Sequence, residues 1–254
     1  MNATDDILAS LPATEDLLLL VDFDGTISEI VDTPDAAAPV PGAEQVLERL
    51  AERARVAVVS GRPIRDLRRR LHTPDRVMLV GGHGAEFVEE DGTITSLVDL
   101  DAVRPTLDEV EADLREIIDP QLGWLVERKP ASIAVHHRMV ADPGIVLLKV
   151  RRCLDEHVDT GPGFEVTDGK AVTELRPAGI DKGTVVARLV AHFPDRHVVV
   201  IGDDVTDEDA FVAANAHGAT TVVVAEAGRD SAARHRVRTP SDVLDLLRAV
   251  ADRT

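Results

Sequence analysis

Cysteine is nearly missing from this 254-residue chain: Cys153 stands alone. No intramolecular disulfide can form, and nothing asks for an oxidising compartment. Its expected place is that of a small apolar residue in a helix. Lysine is almost as scarce, with only Lys129, Lys149, Lys170 and Lys182. Together with the arginines they make 28 cations against 46 acids, a net charge of −18. DNA, RNA and anionic membranes need clustered cations to neutralise their phosphates, so nucleic acid and membrane partners are not expected. No Lys or Arg precedes Arg49. A signal peptide or mitochondrial presequence therefore lacks its cationic region, and a cytoplasmic location is expected. Long hydrophobic runs are absent too: the longest hold about five residues, against the ~20 that span a bilayer. Low-complexity segments and solenoid repeats are also lacking.

What is there fits one large domain, or a core with a smaller insert. A chain of this length buries roughly 70 to 75% of its unfolded surface, so it needs no disulfide or metal to fold. Short apolar runs alternate with helical patterns at both ends of the chain, the signature of a parallel sheet covered on both faces. The strand candidates are Leu17 to Val21, Val56 to Val59, Val77 to Val80, His197 to Ile201 and Thr220 to Val224. Helical spacing joins Val46, Leu47 and Leu50; Ile64, Leu67 and Leu71; and Val185, Val186, Leu189 and Val190. A last helix opens with Thr239 as N-cap and Pro240 in its first turn.

The middle of the chain has a different rhythm. A hairpin is expected around Glu90, Asp91 and Gly92, then a helix initiated at Pro105 and running to about Ile118. Strands follow near Trp124 to Arg128 and Ser132 to Arg138. A helix from Pro143 to about His157 then leads to strands at Phe164 to Thr167 and Ala171 to Arg176. Helix, strand, strand, repeated once, predicts an α+β unit with an antiparallel sheet over 101–176, inserted between core segments 1–100 and 177–254.

Asp22, Ser60, Gly81 and Asp203 each end or directly follow a core strand. Ligands of open α/β sheets bind at the carboxyl ends of the strands, so these positions are expected to converge. Asp22 and Asp24 fall on the same side of a departing strand, with Phe23 turned to the core. Two adjacent carboxylates repel each other and ask for a divalent cation, unless they are simply turn formers. Gly25 permits a tight turn that offers its amide to an anion. Asp203, Asp204, Asp207, Glu208 and Asp209 make a second acidic group. The last two suit the positive end of a following helix, whereas Asp203 sits at the strand end. Ser60, in Ser60-Gly61-Arg62-Pro63, precedes a helix and either caps it or binds an anion there. Lys182 opens another helix, an unfavourable place for a cation. His83, in a glycine-rich loop, either lines the site or shapes the turn.

The sequences DFDGT, SGR, an isolated lysine before a helix, and GDD resemble, in order, the four motifs of the haloacid dehalogenase (HAD) superfamily. GDDVTDEDAF, GGHGAE, ERK followed by AVHHR, and GKAVTELRPAGIDKG are similar to the trehalose-6-phosphate phosphatase family, over about Leu17 to Phe211. Gly82 and His137 depart from that pattern, where a larger residue and a tyrosine are usual. The resemblance implies an α/β fold: a Rossmann-like parallel-sheet HAD core with an inserted α+β cap of the C2B type. It implies hydrolysis of trehalose 6-phosphate to trehalose and phosphate through an aspartyl-phosphate, with Asp22 as nucleophile and Asp24 as general acid and base. Ser60 and Lys182 complete the catalytic set and hold phosphate oxygens, with Gly25, Thr26 and Arg62 also at the substrate. Mg2+ is the implied cofactor, on Asp22, the Asp24 carbonyl and Asp203, with Asp204 and Asp207 in support.

Alternation along the inserted strands places Glu127 with Lys129, Ser132 with His136 and Arg138, and Glu174 with Arg176 on shared faces. That polar face is either half solvated or a binding surface. The resemblance assigns Glu127, Lys129 and Glu174 to sugar hydroxyls, with His136 and Arg138 nearby, and carboxylates do suit a polyol. Two other functions stand beside this one. One keeps the chemistry but changes the sugar, to a sucrose-phosphate or mannosylglycerate-phosphate type. The other is a non-catalytic sugar-phosphate-binding module, a sensor or a structural partner of a synthase. The presence of Asp22, Asp24, Lys182 and Asp203 together argues against the second. The trehalose-phosphate synthase of the same pathway is the expected protein partner.

Overall fold

The computed structural model describes residues 3–89, 91–159 and 163–253. Its elements in chain order are α1 (Ala3–Ser10), β1 (Leu17–Asp22), α2 (Ala43–Ala51), β2 (Arg55–Val59), α3 (Ile64–Arg70), β3 (Val77–Gly81), β4 (Glu86–Val88) and β5 (Ile94–Ser96). They continue with α4 (Leu100–Ile117), β6 (Leu125–Arg128), β7 (Ile133–His136), α5 (Gly144–Asp155), β8 (Phe164–Gly169) and β9 (Val172–Pro177). The last six are α6 (Lys182–His192), β10 (His197–Gly202), α7 (Thr206–Asn215), β11 (Thr220–Val224), β12 (His235–Val237) and α8 (Pro240–Ala251). Two compact units result: residues 1–95 with 181–254, and residues 96–180.

In the first unit the order across the sheet is β12-β11-β10-β1-β2-β3-β4-β5. β12 through β3 run parallel, and β4 turns antiparallel to β3. Every residue of β1 is buried, as a central strand covered on both faces must be. Leu17, Leu19 and Val21 pack with α2, α3 and α8, while Leu18 and Leu20 pack with α6 and α7, so the strand's two-residue period feeds two separate cores. The chain steps from β1 to β2 and β3 on one side, then returns to β10 and β11 on the other. That reversal is the switch point at which α/β sheets open a crevice. The register fixes which residues meet there, for Asp22 is level with Val59, and Val21 with Ile201.

The second unit is wider at both ends than the 101–176 insert expected from sequence. Its antiparallel order is β6-β7-β9-β8. Ile133, Val135 and Leu175 pack with Val103, Leu107, Val110 and Leu114 of α4 and with Val150 and Leu154 of α5. Glu127, Ala134 and Glu174 lie in one row across three strands, on the opposite face. Cys153 is buried in α5, in its expected place.

Some elements differ from expectation. α4 begins at Leu100 rather than Pro105, because the Asp99 carboxylate accepts from the Asp101 and Ala102 N–H groups and caps the helix five residues earlier. Pro105 then falls inside the helix. In the expected hairpin the Gly92 N–H donates to the Glu89 carbonyl, and Glu90 lies outside the described residues. α1 and β12 were not legible in the sequence. Among the described residues no helix is long and apolar enough to cross a membrane.

Candidate active site

β1 ends at Asp22, whose carboxylate is buried, and the chain turns at once through Asp24 and Gly25. Phe23 is fully buried in the core, as expected. At Gly25 the backbone is left-handed (φ 79°), and a Cβ there would stand 2.2 Å from Oδ2 of Asp203. Glycine is therefore required for two separate reasons, conformation and the close approach of the Asp203 carboxylate. The Gly25 N–H, expected to face an anion, donates instead to the Ser28 carbonyl at 2.8 Å. Thr26 is fully buried, and its Oγ1 has no hydrogen-bond partner.

Lys182 is the first residue of α6, whose N-cap Asp181 forms a reciprocal capping box with Thr184. This cap offsets the cost of a lysine at the positive end of the helix. Buried Nζ of Lys182 lies 2.7 Å from Oδ1 of Asp22 and 2.7 Å from Oδ1 of Asp207. The second oxygen of Asp207 accepts from the Asp203 and Asp204 N–H groups, each at 3.0 Å. Asp207 thus shapes the loop that presents Asp203 while it also fixes Lys182. Behind it, the Arg229 guanidinium donates to the Asp203 carbonyl.

One ammonium among three buried carboxylates leaves excess negative charge. Burial, the largest influence, pushes the Asp22 carboxyl well above the usual range; Asp207 and Asp203 add to the rise against the pull of Lys182. Burial also opposes the charge on Lys182, but Asp207 and Asp22 outweigh it and hold its pKa above the ordinary value. Oxygen atoms of Asp22, Asp203 and Asp207 lie within 4.8 Å of one another. Oδ1 of Asp204 is buried with no hydrogen-bond partner. An all-oxygen donor set of this kind suits a hard divalent cation.

Ser60 does not cap α3, whose N-terminal flank is Pro63. Its hydroxyl accepts instead from the Arg62 N–H at 3.1 Å. His83, in a left-handed conformation (φ 57°), donates its N–H to the Ser60 carbonyl at 3.0 Å, so it shapes the Ser60 turn. Arg62, expected at the substrate, lies with its guanidinium against Asp24: Nε donates to Oδ2 at 2.7 Å and Nη2 to Oδ1 at 2.8 Å. Burial opposes the Arg62 charge, but Asp24 and Asp66 outweigh it and raise its pKa.

The second unit carries its own polar cluster. Nζ of buried Lys129 donates to both oxygens of Glu174, at 3.1 and 3.2 Å, and the Ser132 hydroxyl also donates to Glu174. Glu127 Oε2 and His136 Nε2 are 2.8 Å apart. Burial would raise the Glu127 pKa, but the His136 hydrogen bond and the Lys129 charge bring it below the usual value. Arg138 is exposed and donates to the Lys170 carbonyl at 3.0 Å. Arg176 is buried and donates to Glu165. His137 packs 6.0 Å from Trp124, ring centre to ring centre.

This arrangement coincides with a match over residues 20–241 to the model of the trehalose-phosphatase family. The chain belongs to the trehalose-phosphatase family. A trehalose-phosphate phosphatase of Mycobacterium tuberculosis is 35% identical over 97% of this chain and 63% of its own length. The Mycobacterium leprae relative is 38% identical over 83% of this chain and 49% of its own. The chain therefore spans about half to two thirds of these curated relatives. Among solved structures, the C-terminal domain of C. albicans trehalose-6-phosphate phosphatase superposes with a TM-score of 0.82, at 25% identity, over 99% of this chain and 96% of that one. An Aspergillus fumigatus trehalose-6-phosphate phosphatase gives 0.67 at 26% identity, over 99% and 98%. Sequence reading of this family member missed Asp66, Arg70 and Arg229, all of which support site residues. For Arg229 a signal existed: it follows β11, the neighbour of β10 at the same sheet end.

Proposed function

We propose that the protein is a Mg2+-dependent phosphatase that hydrolyses trehalose 6-phosphate to trehalose and phosphate through an aspartyl-phosphate on Asp22. The observation that carries this reading is the buried Asp22–Lys182–Asp207 triad beside Asp203, at the sheet's switch point, in a member of the trehalose-phosphatase family. An Oδ of Asp22 attacks phosphorus while the bond to the sugar oxygen breaks; that oxygen takes the electron pair and a proton from Asp24. Lys182 orients the attacking carboxylate and stays charged, and Ser60 would hold a phosphate oxygen. Asp22 and Asp203 are the proposed Mg2+ ligands, with Asp204 and Asp207 supporting them, and the ion when bound would neutralise phosphate charge.

In the second unit, Glu127, Lys129, His136 and Glu174 are the proposed contacts to sugar hydroxyls. They are grouped on one polar face, and their carboxylates and ammonium are matched to a polyol. Arg138 is left out. A cytoplasmic location, and a trehalose-phosphate synthase as pathway partner, belong to the same reading.

Phosphate release from a panel of sugar phosphates, with chelator and then with Mg2+ restored, tests it. Trehalose 6-phosphate is expected to be the preferred substrate, with turnover only in Mg2+. Asp203→Ala is expected to weaken the metal response far more than Asp209→Ala, because Asp209 lies on the exposed side of α7. Preference for sucrose or mannosylglycerate phosphates would assign the second reading. Binding without turnover would assign the third.

A further inference from the structure

Four of the five guanidinium N–H donors of Arg62 are taken up within the protein. Beyond its two bonds to Asp24, Nη1 donates to Asp66 Oδ2 at 2.7 Å and Nη2 to the Pro34 carbonyl at 3.0 Å. Its guanidinium also lies 5.7 Å from the centre of the Phe23 ring. The same Asp66 oxygen accepts from Arg70 Nε at 2.9 Å, and Arg70 reaches the Asp35 and Ala37 carbonyls at 2.8 and 3.0 Å. A chain of alternating charges therefore runs Asp24–Arg62–Asp66–Arg70 and ends on the loop at 34–37. The Arg62 side chain is 9% exposed and the Asp24 side chain 40%. The arginine is fixed behind a carboxylate that faces solvent.

Guanidinium has five N–H donors and no acceptor. While both Asp24 oxygens accept from Arg62, the carboxylate presents its remaining lone pairs outward, as acceptors. This is the posture of a base. We propose that Arg62 is a positioning residue, held by Asp66, that sets Asp24 to take a proton from water in the second half of the reaction. In that step the water oxygen bonds to phosphorus and the bond to Asp22 Oδ breaks. The electron pair returns to the Asp22 carboxylate, and the water proton passes to Asp24. The inference rests on the aspartyl-phosphate reading above. It adds that Arg62 acts after the sugar has left and is not a phosphate ligand.

The test uses an aryl phosphate with a good leaving group, which needs no acid in the first step, with acid quenching and intact-protein mass to read phosphate on Asp22. Asp24→Asn is the reference and should accumulate phosphoprotein. Arg62→Gln is expected to do the same, with its hydrolysis slowed about tenfold to hundredfold, the range for hydrogen bonds to a charged group. Arg62→Lys keeps the charge but not the two-pronged geometry, so it should rescue little. Asp66→Asn, which leaves Arg62 in place, should show a smaller rise and covers the case in which Arg62→Gln fails to fold. Inorganic phosphate, titrated calorimetrically, should bind these variants as it binds the parent protein. If Asp24→Asn accumulates phosphoprotein while Arg62→Gln and Asp66→Asn do not, the positioning role is overturned. A parallel loss of phosphate affinity would make Arg62 a phosphate ligand and overturn it too. No phosphoprotein even in Asp24→Asn would instead overturn the covalent mechanism, and this inference with it.

Discussion

Lys182 and Asp207 meet at 2.7 Å, and the other oxygen of the same Asp207 carboxylate holds the N–H groups of Asp203 and Asp204. One buried side chain thus fixes both the lysine at the start of α6 and the loop after β10. Asp207→Asn would set its NH2 donor against either the Lys182 ammonium or the loop N–H groups, since the amide has only one accepting oxygen. Breaking a buried ion pair on one side costs about 3 to 5 kcal/mol. The urea unfolding midpoint should fall accordingly, and phosphate release should be largely lost. An unchanged midpoint would mean that Lys182 is not held in this way.

Gly25→Ala should be among the most damaging of small substitutions. It places Cβ 2.2 Å from Asp203 Oδ2 at a backbone of φ 79°, and the strain alone costs of order 1 to 3 kcal/mol. Gly228→Ala is the control, because φ there is 95° but nothing lies within 4 Å of the added atom. Activity per folded molecule should fall at least tenfold in the first and little in the second. Equal losses would assign the effect to backbone strain rather than to displacement of Asp203.

Lys129 and Glu174 should prove coupled. Lys129→Met leaves a buried carboxylate that has lost its ammonium partner and still accepts from Ser132, whereas the double variant Lys129→Met/Glu174→Gln removes both charges. The double variant is expected to be more stable than Lys129→Met, a nonadditivity that a double-mutant cycle on unfolding free energy reads directly. Both should lose kcat/KM for trehalose 6-phosphate about tenfold to hundredfold, yet retain hydrolysis of a small aryl phosphate. Parallel losses on both substrates would remove the sugar-binding assignment.

Acid should loosen the second unit through Glu127. Its carboxyl pKa lies below the usual 4.5, burial being outweighed by His136 and Lys129. A lowered folded pKa contributes stability that is fully present above the unfolded value and is lost as pH falls through the folded one. Thermal midpoints should therefore drop on acidification from pH 5 downward, and Glu127→Gln should flatten that part of the profile. A Glu127→Gln profile parallel to that of the parent would show that the Glu127–His136 contact contributes nothing to it.

How much could be read without coordinates varied with the range of the interaction. Phe23 was placed in the core and Asp22 at a strand end by a two-residue period, a purely local signal. Thr239 and Pro240 announced α8, and the observed cap is Thr239 with Asp242. Pro105 misled because Asp99, an equally local cap, lies earlier and wins. β12 was missed because a three-residue edge strand has too few positions to show a period.

The sequence by itself determined the alternation of buried strands and helices, the repeated helix-strand-strand pattern between them, and the kinds of residue at the strand ends. All of these depend on neighbours a few positions apart, where covalent geometry fixes which side chains share a face. Only the tertiary structure decided the pairings: Lys182 on Asp22 and Asp207, Arg62 on Asp24, Glu174 on Lys129, and Arg138 on the Lys170 carbonyl. A buried charge must be compensated by whatever the fold brings within about 3 Å. Which partner that is depends on sheet order and register across as many as 160 positions of sequence.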